Sequence, residues 1–271
     1  MDKIFNLRDY GFEPVEKYVS KVEQAGFSYP VQHADPRPFT FEETFRNEGI
    51  EVLVPLGQAI FEANGQCKDE SELSQGGNLK LANNMELTAP VMLAPGKILN
   101  LNLNDKTMTA PLFAENNGEV AEGNSDSYAF WVKEDSMLTI EGEGDVKAQP
   151  ATYSMAVWAN GGNVTIKGGK FYNDGEGSDL IYASNGGKVY IYGGEFHPCK
   201  KQEGVDGTKD AYTALNIKDK DRGISEIKVY GGKFFNFNPA NNLSEGPNTN
   251  FVAEGYKAVE VEPNVWEVMP E

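Results

Sequence analysis

Three copies of one eight-residue phrase constrain this chain more than any other feature. They are Val164-Thr165-Ile166-Lys167-Gly168-Gly169-Lys170-Phe171, Val189-Tyr190-Ile191-Tyr192-Gly193-Gly194-Glu195-Phe196 and Ile227-Lys228-Val229-Tyr230-Gly231-Gly232-Lys233-Phe234. Side chains alternate across a strand. Val164 and Ile166 therefore share one face, and Thr165 and Lys167 the other. The same register puts Val189 and Ile191, then Ile227 and Val229, in the same two inner columns. Each Gly-Gly pair supplies a bend, and Phe171, Phe196 and Phe234 return to the inside as an aromatic column. Degenerate copies precede these: Leu138-Thr139-Ile140 with Val146 near the phenylalanine slot, and Leu101-Asn102-Leu103-Asn104 with Met108 in it.

Copies beginning at 101, 138, 164, 189 and 227 are separated by steps of 37, 26, 25 and 38 residues. A step of roughly 25 residues is one supersecondary unit, and the longer steps mark inserted loops. A strand this short cannot bury its apolar face alone, so the copies must stack. Met155 to Ala159 precedes Asn160-Gly161-Gly162, and Leu180 to Ser184 precedes Asn185-Gly186-Gly187, which adds a second strand per unit. Identical phrases running in one chain direction argue for parallel stacking rather than the antiparallel hairpins of a sandwich or propeller. The expected fold is all-β: a right-handed parallel β-helix, or solenoid, over about residues 76–250, with a small mixed α/β N-terminal docking segment and a C-terminal capping hairpin.

The division expected is 1–66 as an attachment and oligomerisation segment, 67–250 as the β-helix and 251–271 as the cap. Within the first part, Pro14 and Gly26 bracket a helix with Val15, Tyr18, Val19 and Val22 as its stripe. Thr40-Phe41-Glu42-Glu43 matches a capping box, and Ile50 to Val54 reads as a strand. So small a unit carries many aromatics, among them Phe5, Tyr10, Phe12, Phe39 and Phe45, which suits docking on a larger assembly. At the other end, Phe251 to Val261 and Val265 to Val268 flank Glu262-Pro263-Asn264 and read as a hairpin over the last open edge.

Residues 77–101 run Gly77-Asn78-Leu79-Lys80-Leu81, then Leu87-Thr88-Ala89-Pro90, then Ala94-Pro95-Gly96 and Leu99-Asn100-Leu101. This stretch resembles the opening rungs of the pectate-lyase-like right-handed β-helix superfamily. The Gly-Gly-x-Phe corners resemble those of virion β-helix proteins of the bacteriophage head-fibre and tail-spike type. The resemblance covers roughly residues 76–250 and implies a fold more than an activity.

Catalytic patterns of that superfamily are not visible in the sequence. A lyase would use clustered aspartates with a basic residue. After residue 66 the one arginine is Arg222, in the charged loop Lys218 to Gly223. It reads as a solvated turn. Asp206 and Asp210 lie in an inserted loop and read as charged decoration, although they could bind a cation. His197-Pro198-Cys199 offers no second ligand pair for zinc, and Cys67 and Cys199 read as free thiols. No cofactor is implied. Net charge is −17, which disfavours phosphate backbones and so nucleic acid. No apolar run is long enough to span a bilayer, and the first residues show no secretory pattern.

The outward positions carry the functional expectation. Tyr192 and Tyr230 fall in one column below Lys167, and Tyr190 falls in the next column with Thr165 and Lys228. These tyrosines are the candidate glycan platform or subunit interface. Lys170, Glu195 and Lys233 form an alternating charge ladder. The expected function is a bacteriophage virion structural protein, made in the host cytoplasm: a head fibre, capsid decoration or tail-associated fibre or spike. It would be a homo-oligomer, with a trimer expected, attached to capsid or tail protein through residues 1–66, with host polysaccharide as a further partner. A polysaccharide-degrading β-helix enzyme and a bacterial glycan-binding adhesin are the alternatives.

Overall fold

The structure is a computed structural model that describes residues 65–114, 125–151, 153–173, 179–199 and 213–271. The elements expected before residue 65, and the Asp206 and Asp210 loop, lie outside these residues. Gln66–Glu271 forms one compact unit.

Three sheets build it. The first contains Gln66–Cys67, Gly77–Leu81, Ile98–Asn102, Met137–Glu141, Asn163–Ile166, Lys188–Ile191 and Glu226–Val229, in that order. The second contains Met85–Glu86, Lys106–Thr109, Gly144–Ala148, Lys170–Asn173, Glu195–His197 and Gly232–Phe235. The third contains Val91–Leu93, Ser125–Lys133, Tyr153–Asn160, Ile181–Ser184 and Leu215–Ile217. From Gly77 onward the chain visits first, second and third sheet in rotation and returns each time one strand further on. Every pairing between these strands is parallel, so the expectation of a parallel all-β structure holds.

Register explains the repeat. Val164 pairs with Leu138 and Val189, and Val189 with Ile227; Ile166 pairs with Ile140 and Ile191, and Ile191 with Val229. In the second sheet one inner column runs Met85, Met108, Val146, Phe171, Phe196, Phe234. The rings of Phe171 and Phe196 stack at 5.2 Å and those of Phe196 and Phe234 at 4.6 Å, all fully buried. The two glycines of each corner do different work. A side chain at Gly193 would sit 2.6 Å from the Lys167 carbonyl, so the first glycine permits the close approach of successive corners. Gly169, Gly194 and Gly232 have φ of +90°, +104° and +104°, so the second glycine supplies the left-handed turn.

One reading of the repeat needs correction. Leu99, not Leu101, pairs with Leu138, and Leu101 pairs with Ile140. The early copy thus begins two residues sooner, at Leu99-Asn100-Leu101. Leu103 lies beyond the strand and is fully buried, and a side chain on Gly169 would collide with it at 2.6 Å. The leucine occupies corner space that the later copies leave to glycine. The sequence Leu-Asn-Leu-Asn-Leu is degenerate under a two-residue slip, which is why its register was misread.

Two elements were not anticipated. A short helix, Glu70–Gln75, starts at Asp69, whose carboxylate accepts a hydrogen bond from the Ser71 N–H, and it buries Leu73. Six residues are too few for a helical stripe to show. In the third sheet alternation fails: Ala129 and Phe130 both join the core, as do Ala156 and Val157 on the next strand. Tyr128 and Met155 are thereby moved into a separate cluster with Trp158, against which Trp131 and Tyr182 pack.

The last strand of the second sheet is covered by an antiparallel hairpin, Tyr256–Glu262 and Val265–Pro270, through pairs such as Phe234 with Trp266. Phe196 has ring neighbours on both sides. Its replacement by alanine is expected to cost about 3–5 kcal/mol, read from the urea midpoint at unchanged slope.

Candidate functional site

The outer face of the first sheet carries the candidate tyrosines. Thr165 pairs with Tyr190 and Tyr190 with Lys228. Just past the strand ends, the rings of Tyr192 and Tyr230 stack at 4.8 Å with planes 9° apart. The edge of Tyr256, from the hairpin, meets Tyr230 at 5.4 Å and 90°. Stacking determines what this column can offer. Tyr192 and Tyr230 cover one face of each other, and Tyr256 also packs against Tyr230. Tyr192 is 53 % exposed. The Tyr190 hydroxyl bonds to Glu226 at 3.3 Å. Burial, then the Glu226 charge, raises the Tyr190 pKa, and burial raises that of Tyr230, so both phenols stay protonated at neutral pH.

The charges on this face run against the rest of the protein. Lys80, Lys167, Lys188 and Lys228 stand on it with Glu141 and Glu226, in a chain of net charge −17. Toward its beginning the face is amide-rich: the Asn100 carboxamide donates to Asn78 Oδ1 at 2.7 Å.

The second sheet's outer face carries the charge ladder. Asp145 pairs with Lys170, Lys170 with Glu195, Glu195 with Lys233 and Lys233 with Glu267, so the signs alternate over five strands. Within it Lys170 and Glu195 approach to 3.6 Å. Beside the ladder His197 lies between Tyr172 at 4.6 Å and Phe235 at 3.9 Å. Lys147 stands 5.4 Å over the Tyr172 ring. His197 therefore belongs to an aromatic stack and bonds to Glu195 at 3.4 Å. Burial holds its pKa below the usual histidine value, while Glu195 pulls the other way.

The third sheet carries an aromatic group that the sequence reading missed. Trp131 and Trp158 stack at 5.0 Å with planes 2° apart, and Tyr128 meets both edge-on. Lys133 stands 4.5 Å over Trp131, and Trp158 Nε1 donates to Ser184 Oγ at 2.8 Å. The signal was available: both tryptophans sit two residues before an Asn-Gly-Gly turn or its Lys-Glu-Asp equivalent. The break in alternation hid their partners.

Arg222 is part of a closure. Its Nε donates to Glu245 at 2.6 Å and its Nη2 to Asp219 at 2.7 Å. The other Glu245 oxygen accepts the Ile217 N–H at 2.6 Å, on the last strand of the third sheet. Cys67 is buried and its thiol pKa is pushed up to about 11, chiefly by burial, which suppresses its thiolate. Cys199 is half-buried. Among the described residues there is no group of three or more His, Cys, Asp or Glu placed to hold a metal ion, and no helix is long and apolar enough to cross a membrane.

No family model, curated protein or solved structure matches the chain.

Two outcomes follow from these contacts. Glu245→Ala should destabilise by about 1–3 kcal/mol and more than Arg222→Ala, because it also strips the Ile217 N–H of its acceptor; chemical denaturation of both variants measures the order. A depressed His197 pKa means that the unfolded chain takes up the proton first as pH falls. The contribution of His197 is complete above the ordinary value of about 6.5 and is lost as pH falls through the folded value. The melting temperature should fall as the pH drops below the ordinary histidine value of about 6.5, and His197→Phe should flatten that part of the profile.

Proposed function

We propose that the three sheets are the faces of a right-handed parallel β-helix, and that the chain is a bacteriophage virion structural protein. In this reading it is a head fibre, a capsid decoration or a tail-associated fibre or spike. Residues 1–66 attach it to capsid or tail protein, and three copies assemble with the solenoid projecting outward. Parallel crossovers are right-handed in about 98 % of cases, which supports the hand. The observation that carries the reading is the same-position stacking from Gly77 to Val229, finished by a hairpin at one end. Such a stack is stiff along its axis, and its side chains are used for stacking on one another. That suits a rod which displays a surface.

The enzymatic alternative draws no support from Arg222, the cation it would recruit, because two carboxylates already hold it. Binding of host polysaccharide would rest on Tyr192, which is 53 % exposed. Removal of residues 1–66 should leave a folded, soluble β-helix, with the far-ultraviolet spectrum of β-structure, that no longer enters particles. Normal incorporation of the truncated chain would refute the attachment role. Release of reducing ends from host capsular polysaccharide by the intact protein would refute the structural reading.

A further inference from the structure

Asparagine is followed by glycine at 64, 117, 160 and 185, and the pairs at 160 and 185 lie wholly within the described residues. Such a pair can react with itself, because glycine has no side chain to shield its backbone nitrogen. That nitrogen loses its proton, bonds to the asparagine Cγ and expels the carboxamide nitrogen as ammonia. Water then opens the resulting succinimide at either carbonyl and leaves aspartate or isoaspartate. The fold decides whether the nitrogen and the Cγ are able to meet.

The two corners hold their pairs differently. Asn160 is half-buried, and its Oδ1 accepts from Ser184 Oγ at 3.3 Å and from the Asn185 carboxamide. The Gly161 N–H donates to the Ser184 carbonyl at 2.9 Å, and a β-carbon on Gly161 would meet the Glu134 backbone at 3.2 Å. Asn160 also pairs with Ser184 in the third sheet, so reaction there has to open the sheet. Asn185 is exposed and left-handed at φ +52°, with Gly186 at φ +83°. A β-carbon on Gly186 would have nothing within 4 Å. The Gly186 N–H donates to a side chain, Ser225 Oγ at 3.0 Å, rather than to a strand carbonyl. The Asn185 Nδ2 that must depart donates to Asn160 Oδ1, an acceptor that favours the positive charge building on a leaving ammonia.

We propose that Asn185 is a site of spontaneous deamidation and that the Ser225 hydroxyl is the brake on it. The surroundings give the product its effect. The Asn185 N–H donates at 2.6 Å to the carboxylate of Asp221, which is buried. A new carboxylate at 185 stands beside that one and beside Asn160 Oδ1, and neither can donate to it. Isoaspartate also adds a carbon to the main chain at a corner whose neighbours stack position on position. The modification therefore loosens the corner that joins Ile181–Ser184 to Lys188–Ile191, next to the last strand of each sheet.

The test is peptide mapping of the full-length protein held in mildly alkaline buffer, where the attacking nitrogen ionises more readily. Mass and isoaspartyl methyltransferase labelling read each asparagine separately, and urea-unfolded protein supplies the reference in which both pairs are open. In the folded protein Asn185 should convert at least about tenfold faster than Asn160. Ser225→Ala should speed Asn185 about fivefold, the worth of one hydrogen bond, and leave Asn160 unchanged. Asn185→Asp should lower the melting temperature, and Asp221→Asn in the same chain should recover part of the loss. Conversion of Asn160 before Asn185 overturns the site, as does an Asn185 still intact in folded protein when the unfolded chain has converted. That comparison needs no variant and stands even where Ser225→Ala fails to fold. A folded Ser225→Ala protein that converts at the wild-type rate overturns the brake, and an Asn185→Asp protein as stable as wild type overturns the loosening.

Discussion

Everything in this structure depends on strict same-position stacking of parallel strands. When a parallel strand is laid on its predecessor without a shift, each side chain meets the residue of equal rank one strand away. A column must then be chemically self-compatible along its whole length. Phenylalanine meets phenylalanine in the second sheet, and isoleucine or valine meets its like in the first. Lysine cannot stack on lysine at the same cost, and so Asp145, Lys170, Glu195, Lys233 and Glu267 alternate. The glycine corners follow from the same constraint. Successive corners pass so close that a β-carbon at Gly193 would strike the Lys167 carbonyl.

Stacking of this kind leaves open edges at its ends, and the chain closes each differently. At the beginning, the helix Glu70–Gln75 drives Leu73 into the core, and Glu70 accepts the Thr88 N–H at 2.6 Å. At the other end, the first sheet finishes on a backbone bridge between Val229 and Val252. The second finishes on the antiparallel hairpin, and the third on the Glu245 carboxylate that accepts the Ile217 N–H. A carboxylate satisfies a strand N–H as a carbonyl would, but it cannot template a further strand. This limits edge-to-edge association. The irregular bulge between Glu260 and Glu262 blunts the hairpin's own free edge in the same way.

What could be read from the sequence is what the columns repeat. Val164, Ile166 and Phe171 announced their positions because three copies agree and each column tolerates few residue types. The hairpin was legible because Glu262-Pro263-Asn264 separates two alternating runs. The early copy was misplaced because Leu99, Leu101 and Leu103 are interchangeable under a shift of two, and the contact that decides between them is a corner collision with no local signature. The Trp131–Trp158 pair follows ordinary alternation beside Phe130, Val132, Val157 and Ala159, but its neighbours Tyr128 and Met155 join it only because alternation breaks at Ala129-Phe130 and Ala156-Val157, where two successive residues both enter the core.

The outward aromatics illustrate why a column is not a platform. On a flat sheet, isolated rings can lie open and offer both faces to a ligand. On a parallel stack, rings of equal rank turn face to face, as Tyr192 and Tyr230 do at 4.8 Å and Trp131 and Trp158 do at 5.0 Å. Each such contact uses the π surfaces that a sugar or a partner side chain would need. What remains to solvent is a row of ring edges and the terminal face of the column. Ring surface is therefore left mainly where a column of rings gives way to another residue type, as the column of Tyr192 and Tyr230 does at Lys167. A count of outward aromatics overstates the ring surface that such a stack leaves uncovered.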